Sequence, residues 1–254
     1  MAAGRHLRVT IWSENIQDRR DESVRRIYPD GMHSPIAEGL RRELGGNVSV
    51  RIATLEEPEH GLSAEALVET DVLTWWGHVA HEQVADAVVE RVHARVLDGM
   101  GLVVLHSAHY SKIFRRLMGT SCALRWRSVE GGERAVIWTV NPGHPIAAGV
   151  PQPIVIPHDE MYGEFFDIPP PDDLVFISSY EGGEVFRSGC CYQRGAGRVV
   201  YFSPGDQEFP VYHQPEIQRV IANSVAWCGG AAAANDLPSQ RQGKSRRDWY
   251  LNRG

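Results

Sequence analysis

Apolar and polar residues alternate over Leu7–Trp12, which predicts a first strand. From Ser13 to Gly31 the chain is rich in charge, breaks the alternation and reads as a loop. Ser34 then caps a helix whose first position is Pro35, with Ile36, Leu40 and Leu44 at helical spacing and Gly45-Gly46 as the stop. Val48–Ala53 alternates again as a second strand, and Ser63 caps a short helix that runs to Val68. Asp71–Trp76 reads as a third strand. Val84, Val88, Val92 and Val96 place an amphipathic helix over Glu82–Leu97. The unbroken apolar run Leu102–Leu105 suits a parallel strand covered on both faces. Ser111 then opens the helix Lys112–Met118, which Gly119 ends.

This strand–helix alternation with short connections predicts parallel pairing through right-handed crossovers. The later chain has a different rhythm. Ala135–Val140, Ile154–Ile156, Leu174–Ser178, Glu184–Arg187 and Arg198–Phe202 read as short strands between Pro/Gly turns. Pro215 opens a last helix with Ile217, Val220, Ile221, Val225 and Trp227 turned inward. The fold expected is α/β, with antiparallel additions to a mostly parallel sheet and one closing strand and helix. One domain is expected over 5–230. Beyond it, 231–254 reads as a basic extension, either flexible or docking a partner through Trp249 and Tyr250.

Composition narrows the function classes. The 254 residues carry a net charge of −6, which argues against nucleic acid as the main partner. No apolar stretch approaches the roughly 20 residues of a membrane helix, and no signal-peptide pattern precedes the first strand. Cys122, Cys190, Cys191 and Cys228 form no C-x-x-C pair, so reduced thiols in a cytoplasm are expected. Adjacent in a strand, Cys190 and Cys191 are expected to point to opposite faces, one into the core and one outward. Neither a G-x-x-x-x-G-K-[ST] loop nor a strand-borne G-x-G-x-x-G is present, so no nucleotide cofactor is expected.

In an open parallel sheet ligands sit beyond the carboxyl ends of the strands. Those ends deliver Trp12-Ser13-Glu14, Trp75-Trp76-Gly77-His78 with His81-Glu82, His106-Ser107-Ala108-His109-Tyr110, and Ser203-Pro204-Gly205-Asp206. Histidines three apart, His78/His81 and His106/His109, can turn both rings to one ion or one substrate. With His33 they suggest a divalent metal, zinc foremost, completed by Glu14, Glu82, Asp159 or Glu160. Each pair read alone is more often a helix N-terminus or a hydrogen-bonded loop than a ligand pair, and two pairs at adjacent strand ends bring the readings level. Ser107 follows a buried strand and precedes a helix, as an elbow nucleophile does. Leu105 and His109 occupy the positions where an elbow has glycines, so a strained turn is not expected and Ser107 reads as a ligand-binding hydroxyl. Trp75 is either core or a flat platform for a sugar ring.

Taken together, several segments resemble the ThuA-like proteins, named for trehalose utilisation. They are Tyr28–His33 (YPDGMH), Thr54–Gly61 (TLEEPEHG), Trp75–His78, Leu105–His109, Lys112–Phe114, Leu117–Cys122, Asp159–Gly163 (DEMYG), Phe176–Ser178, Glu181–Cys190 (EGGEVFRSGC) and Gln218–Asn223. The resemblance spans Arg8 to Gly229. It implies a flavodoxin-like three-layer sandwich of the class I glutamine amidotransferase type and a role in carbohydrate metabolism. It also implies handling of a keto-sugar made by a partner oxidoreductase, with a divalent metal in the strand-end site. Two positions depart from the family pattern: Gln17 and Asp206 stand where histidines are usual. The amidotransferase nucleophile cysteine has no counterpart, which excludes a thiolate glutaminase.

The leading expectation is an isomerase or hydrolase acting on a small-molecule sugar or keto-sugar. His106, His109 and Glu160 are its catalytic candidates, Glu14, Trp75, Ser107, Tyr162 and Asp206 its substrate-binding candidates, and His33, His78 and His81 its metal candidates. The alternatives are a non-catalytic sugar-sensing or regulatory module and a subunit docked through its basic tail. A homo-oligomer is expected, with no membrane partner.

Overall fold

The computed structural model describes residues 5–231. Within them the chain begins with β1 (Leu7–Ser13), followed by α1 (Gln17–Arg20), α2 (Glu22–Ile27), α3 (His33–Leu44) and β2 (Val48–Thr54). Next come α4 (Ala64–Val68), β3 (Val72–Trp76), α5 (Asp86–Leu97), β4 (Gly101–Leu105) and α6 (Lys112–Met118). The later chain gives β5 (Arg125–Arg127), β6 (Glu133–Thr139), β7 (Ile154–Asp159), β8 (Met161–Gly163), β9 (Asp173–Ser179), β10 (Val185–Arg194), β11 (Gly197–Phe202) and α7 (Pro215–Cys228).

The main sheet has the order β2-β1-β3-β4-β11-β10-β9-β6-β7. Its first five strands pair in parallel, in the flavodoxin-like order, and the rest are antiparallel additions. On one side α3 packs on β1 and β2 and against α7, which crosses β4 and β11; α4, α5 and α6 pack together elsewhere. Every residue of β3 and β4 is buried, as both-face cover requires. The expected α/β architecture is therefore present. Among the described residues no helix is long and apolar enough to cross a membrane. The extension from residue 232 onward lies outside the described residues.

Several local expectations are corrected. The stretch 13–31 contains α1 and α2 rather than loop alone. Helix α3 starts at His33, and Ser34 lies inside it, its hydroxyl donating back to the Asp30 carbonyl instead of capping. Helix α5 starts at Asp86, so Val84 packs from the preceding turn. The short ribbon β5–β8 went unpredicted, because three-residue strands carry too little alternation to register. Cys190 and Cys191 are both buried, since β10 is covered on both faces and Cys191 lies near Cys228 of α7.

Pairing of β1 with β3 sets Trp12 beside Trp75, and their rings stack with centroids 4.0 Å apart. Trp12 donates its indole N–H to the His60 carbonyl, and Trp76 donates to the Gly205 carbonyl. Trp75 is 1% exposed and does not border the cleft at the strand ends, so the platform role expected of it is not available there. It is core, and Trp75→Ala is expected to cost about 3–5 kcal/mol of stability. Urea unfolding measures this; a loss under about 1 kcal/mol would contradict the assignment.

Candidate functional site

Parallel strands that start together also end together, and here β1, β3, β4 and β11 end on one edge. Beyond β1, Glu14 is 2% exposed, and its carboxylate accepts three backbone N–H groups. Those of His78 and Ala80 reach Oε2 at 2.8 and 2.9 Å, and that of Val79 reaches Oε1 at 3.0 Å. Glu14 was expected to touch substrate. Its lone pairs are instead spent on shaping the 77–80 loop, and so it positions His78. Gln17 completes that arrangement. Its Oε1 can only accept, so the His78 Nδ1 at 2.6 Å carries the hydrogen and Nε2 keeps its lone pair.

At the end of β4 the chain turns sharply. His106 has φ +48°, a left-handed conformation that costs a non-glycine residue free energy and clusters at functional sites. The strained elbow is thus present, although the missing glycines argued against it, and it carries an imidazole. The turn His106–Tyr110 then leads into α6 through Ser111, whose hydroxyl accepts the Phe114 N–H. Ser107 is held inward, donating to the Gly77 carbonyl at 2.9 Å. The late strand adds Ser203–Asp206. Gly205, at φ +138°, must be glycine, because a Cβ would overlap the Tyr212 hydroxyl.

These ends converge on a charged group. His106 is 1% exposed, and its Nδ1 donates to the Ser203 carbonyl at 2.7 Å. Its Nε2 lies 3.2 Å from the Tyr162 hydroxyl, 3.5 Å from Glu160 Oε2 and 3.7 Å from Asp206 Oδ2. Burial disfavours the charged ring, but Asp206 and Glu160 outweigh it and lift His106 to about 10. Asp206 is also pushed up by burial, yet the His106 hydrogen bond and charge bring it below the usual carboxylate range. Burial pushes Asp159, which accepts the Glu160 and Asp206 N–H groups, up to about 7. Adjacent Asp159 and Glu160 therefore turn inward, although adjacent carboxylates in a loop are usually solvated.

Above this group lies a cleft of about 320 Å³, bounded by His78, His81, Ser107, His109, Tyr110, Ala123, Leu124, Trp126, Glu160 and Tyr162. That volume falls at the small end for small-molecule sites. His109 donates Nδ1 to the Cys122 carbonyl at 2.7 Å. Burial, joined by the nearby imidazoles, lowers His109 to about 3 and His81 to about 4. His78 is lowered too, by burial first and then by the charge of His106. In His78 and His109 alike, Nδ1–H is pinned to a fixed acceptor, which leaves Nε2 as the free ring nitrogen.

The metal set read from the histidine spacing is not the one the fold groups. Among the described residues, the three His/Cys/Asp/Glu donors that lie within 4.8 Å of one another are those of His106, Glu160 and Asp206. His33 packs over Gly31 at the start of α3, and its charged neighbours are Asp18 and Asp30. Glu82 is exposed and pairs with Arg115 and Lys112. Tyr110, delivered with His106–His109 at the end of β4, bounds the cleft, and so does Trp126, which was missed. The signal of Trp126, an aromatic between polar residues in a three-residue strand, is indistinguishable from ordinary surface.

A family model described as ThuA, trehalose utilisation, matches residues 8–228. The fold is similar to that of a ThuA-like protein of Bacteroides uniformis (16% identity, 90% of this chain and 93% of that one, TM-score 0.63). A ThuA-like protein of Parabacteroides merdae is also similar (13% identity, 92% and 94%, TM-score 0.61). So is PurLQS of Thermotoga maritima (11% identity, 89% and 99%, TM-score 0.54). No curated protein matches the sequence.

Two outcomes test this geometry. Glu14→Ala leaves three amides without their acceptor and is expected to cost about 2–4 kcal/mol in urea unfolding. Full stability in the variant would show that the loop holds itself. The second test is pH. His109 is neutral when folded, whereas an unfolded chain takes up its proton near about pH 6.5. Its stabilising effect is complete above that pH and declines as pH falls towards about 3, by on the order of 1 kcal/mol per unit. His109→Gln should flatten the fall of stability between about pH 6.5 and 4.5. Parallel slopes for the two proteins would overturn the assignment.

Proposed function

The chain belongs to the ThuA family, described by trehalose utilisation, and on that premise we propose that it is an enzyme acting on a sugar or keto-sugar in the His106 cleft. The family supports a carbohydrate-related role. The observation that carries the finer reading is the His106–Glu160–Asp206 group, which is packed beneath a small cleft edged by aromatic rings.

Each residue has a distinct part. Glu160 borders the cleft, whereas Asp206 and His106 lie behind it. Glu160 is the group placed to take a proton from the carbon beside a sugar carbonyl. His106 holds a proton at Nε2 beside Glu160, and its positive charge behind the cleft offsets the negative charge that grows on the carbonyl oxygen. Asp206 stays ionised and balances the imidazolium, so His106 keeps its charge in a buried place. The free Nε2 of His78 and of His109 can accept hydrogen bonds from sugar hydroxyls. The two positions that depart from the family pattern fit this scheme: Gln17 orients His78, and Asp206 is a member of the central group. Such proton transfer gives an isomerase rather than a hydrolase.

The same three donors fit a divalent cation. Their N–O separations of 3.5 and 3.7 Å approach the roughly 3.4 Å between neighbouring ligands of a tetrahedral zinc. His106 also donates its other ring N–H to a carbonyl, as metal-bound histidines do. Bound by His106, Glu160 and Asp206 in place of the Nε2 proton, such a cation would polarise the sugar carbonyl instead of the imidazolium.

The decisive experiment follows deuterium entry from D₂O into the carbon next to the ketone of a keto-hexose, read by NMR on chelated and on zinc-loaded protein. Exchange is expected, and Glu160→Gln is expected to slow it by about 10²–10⁴-fold with unchanged circular dichroism. No exchange from any keto-hexose in either preparation would sink the enzyme reading and leave the sugar-sensing one.

A further inference from the structure

The ribbon β5–β8 stands outside the main sheet, and β5 pairs with β8 alone. Beside it lies a second hollow of about 510 Å³, whose walls include Leu124, Trp126, Met161, Glu164 and Glu184. Among the described residues, the two most exposed large apolar side chains stand at this hollow. Trp126, 66% exposed, is part of its wall, and Phe165, 69% exposed, directly follows Glu164. The Glu164 N–H donates to the Val185 carbonyl at 3.1 Å, which sets Val185, itself 54% exposed, alongside. Large apolar groups gathered in water mark an interaction surface. Trp, Phe, Met and Arg are also the residues in which the centres of protein interfaces are rich.

This face contains both halves of a joint. Phe165 and Val185 stay uncovered beside a hollow with room for a phenyl ring. The charges are matched in the same way. Glu184 is held by Arg127, and Glu164 by Arg187. Two charged groups are left over. Arg125 begins β5, and Glu181 lies in the turn whose Gly182 packs against the Arg127 guanidinium, at the other end of β5. Both are exposed, and neither enters an ion pair among the described residues. Trp126 stands between them. A knob with a hollow, and a cation with an anion, are all met by the same face turned through a two-fold axis. An anionic membrane would meet the carboxylates of Glu164, Glu181 and Glu184 with like charge. A purely apolar helix would leave Arg125 and Glu181 unmatched.

We infer that this face joins two copies of the chain about a two-fold axis near Trp126, with Phe165 of each copy in the hollow of the other and Arg125 of each against Glu181 of the other. Leu124 and Trp126 also border the His106 cleft, so the joint closes over one wall of that cleft. The inference stands apart from the sugar reading, because none of its groups belongs to the His106–Glu160–Asp206 centre.

Sedimentation of the full chain over about 1–100 µM tests the inference, and a monomer–dimer equilibrium is expected. Phe165→Ser should weaken association by about tenfold or more. Arg125→Glu and Glu181→Arg each set like charges together twice per dimer, and each should weaken it by a similar factor. With both reversals in one chain the pairs are re-formed, and association should return to within about threefold of the original. The three positions are exposed, so the fold survives the changes, which circular dichroism checks. A chain that stays monomeric at about 100 µM keeps this face for a different partner, and the inference falls. A dimer undiminished by Phe165→Ser and by both single reversals is built on another face and also overturns it. A double reversal no tighter than the single ones overturns the two-fold pairing.

Discussion

A charged imidazole cannot stay buried without partners, and the site is built around meeting that requirement at His106. The ring is closed off from water, and Asp206 and Glu160 supply the opposite charge. Ser203 fixes its other nitrogen, and Tyr162 lies parallel to it with centroids 4.7 Å apart. Each partner arrives on a different segment: β4, the loop after β11, and the chain that joins β7 to β8. The convergence of these segments is what the sheet topology provides. The strained backbone at His106 is the cost of turning the ring inward directly from the end of a strand.

Around that charge the other imidazoles stay neutral. His109 is buried near the charged His106 and His81 near Arg115, and in each case burial and the neighbouring charge favour the uncharged form. One centre thus contains a fixed proton donor and several fixed acceptors, set apart by their surroundings alone. Opposed environments of this kind divide acid and base roles in many active sites. The 77–80 loop that carries His78 has no regular structure of its own. Its shape comes from the Glu14 carboxylate, which three amides meet at hydrogen-bonding distance. A buried acidic side chain thereby does for this loop what helix or sheet pairing does elsewhere.

Reading the chain alone located the strand ends and therefore the edge where the chemistry gathers. It also identified His78, His81, His106, Ser107, His109, Glu160 and Tyr162 as residues to watch, all of which border the cleft or lie beneath it. It misjudged roles that depend on direction. Trp75 is core because the register of β1 against β3 sets it on Trp12. Glu14 is consumed by the backbone of a loop whose path the sequence does not display. His33 belongs with Asp18 and Asp30 rather than with the strand-end histidines it was grouped with.

The alternation of strand and helix patterns, the unbroken apolar runs and the Pro/Gly turns determined the α/β architecture and the antiparallel additions. These are local signals with fixed periods, two for a strand and 3.6 for a helix, and they survive in a linear reading. Which carboxylate meets which imidazole, which tryptophan is left uncovered, and how His106 keeps a proton away from water were decided only by the tertiary structure. Those properties depend on distances of 3–4 Å between residues as far apart as His106 and Asp206, and charge and burial at that range are set by packing rather than by neighbours in the chain.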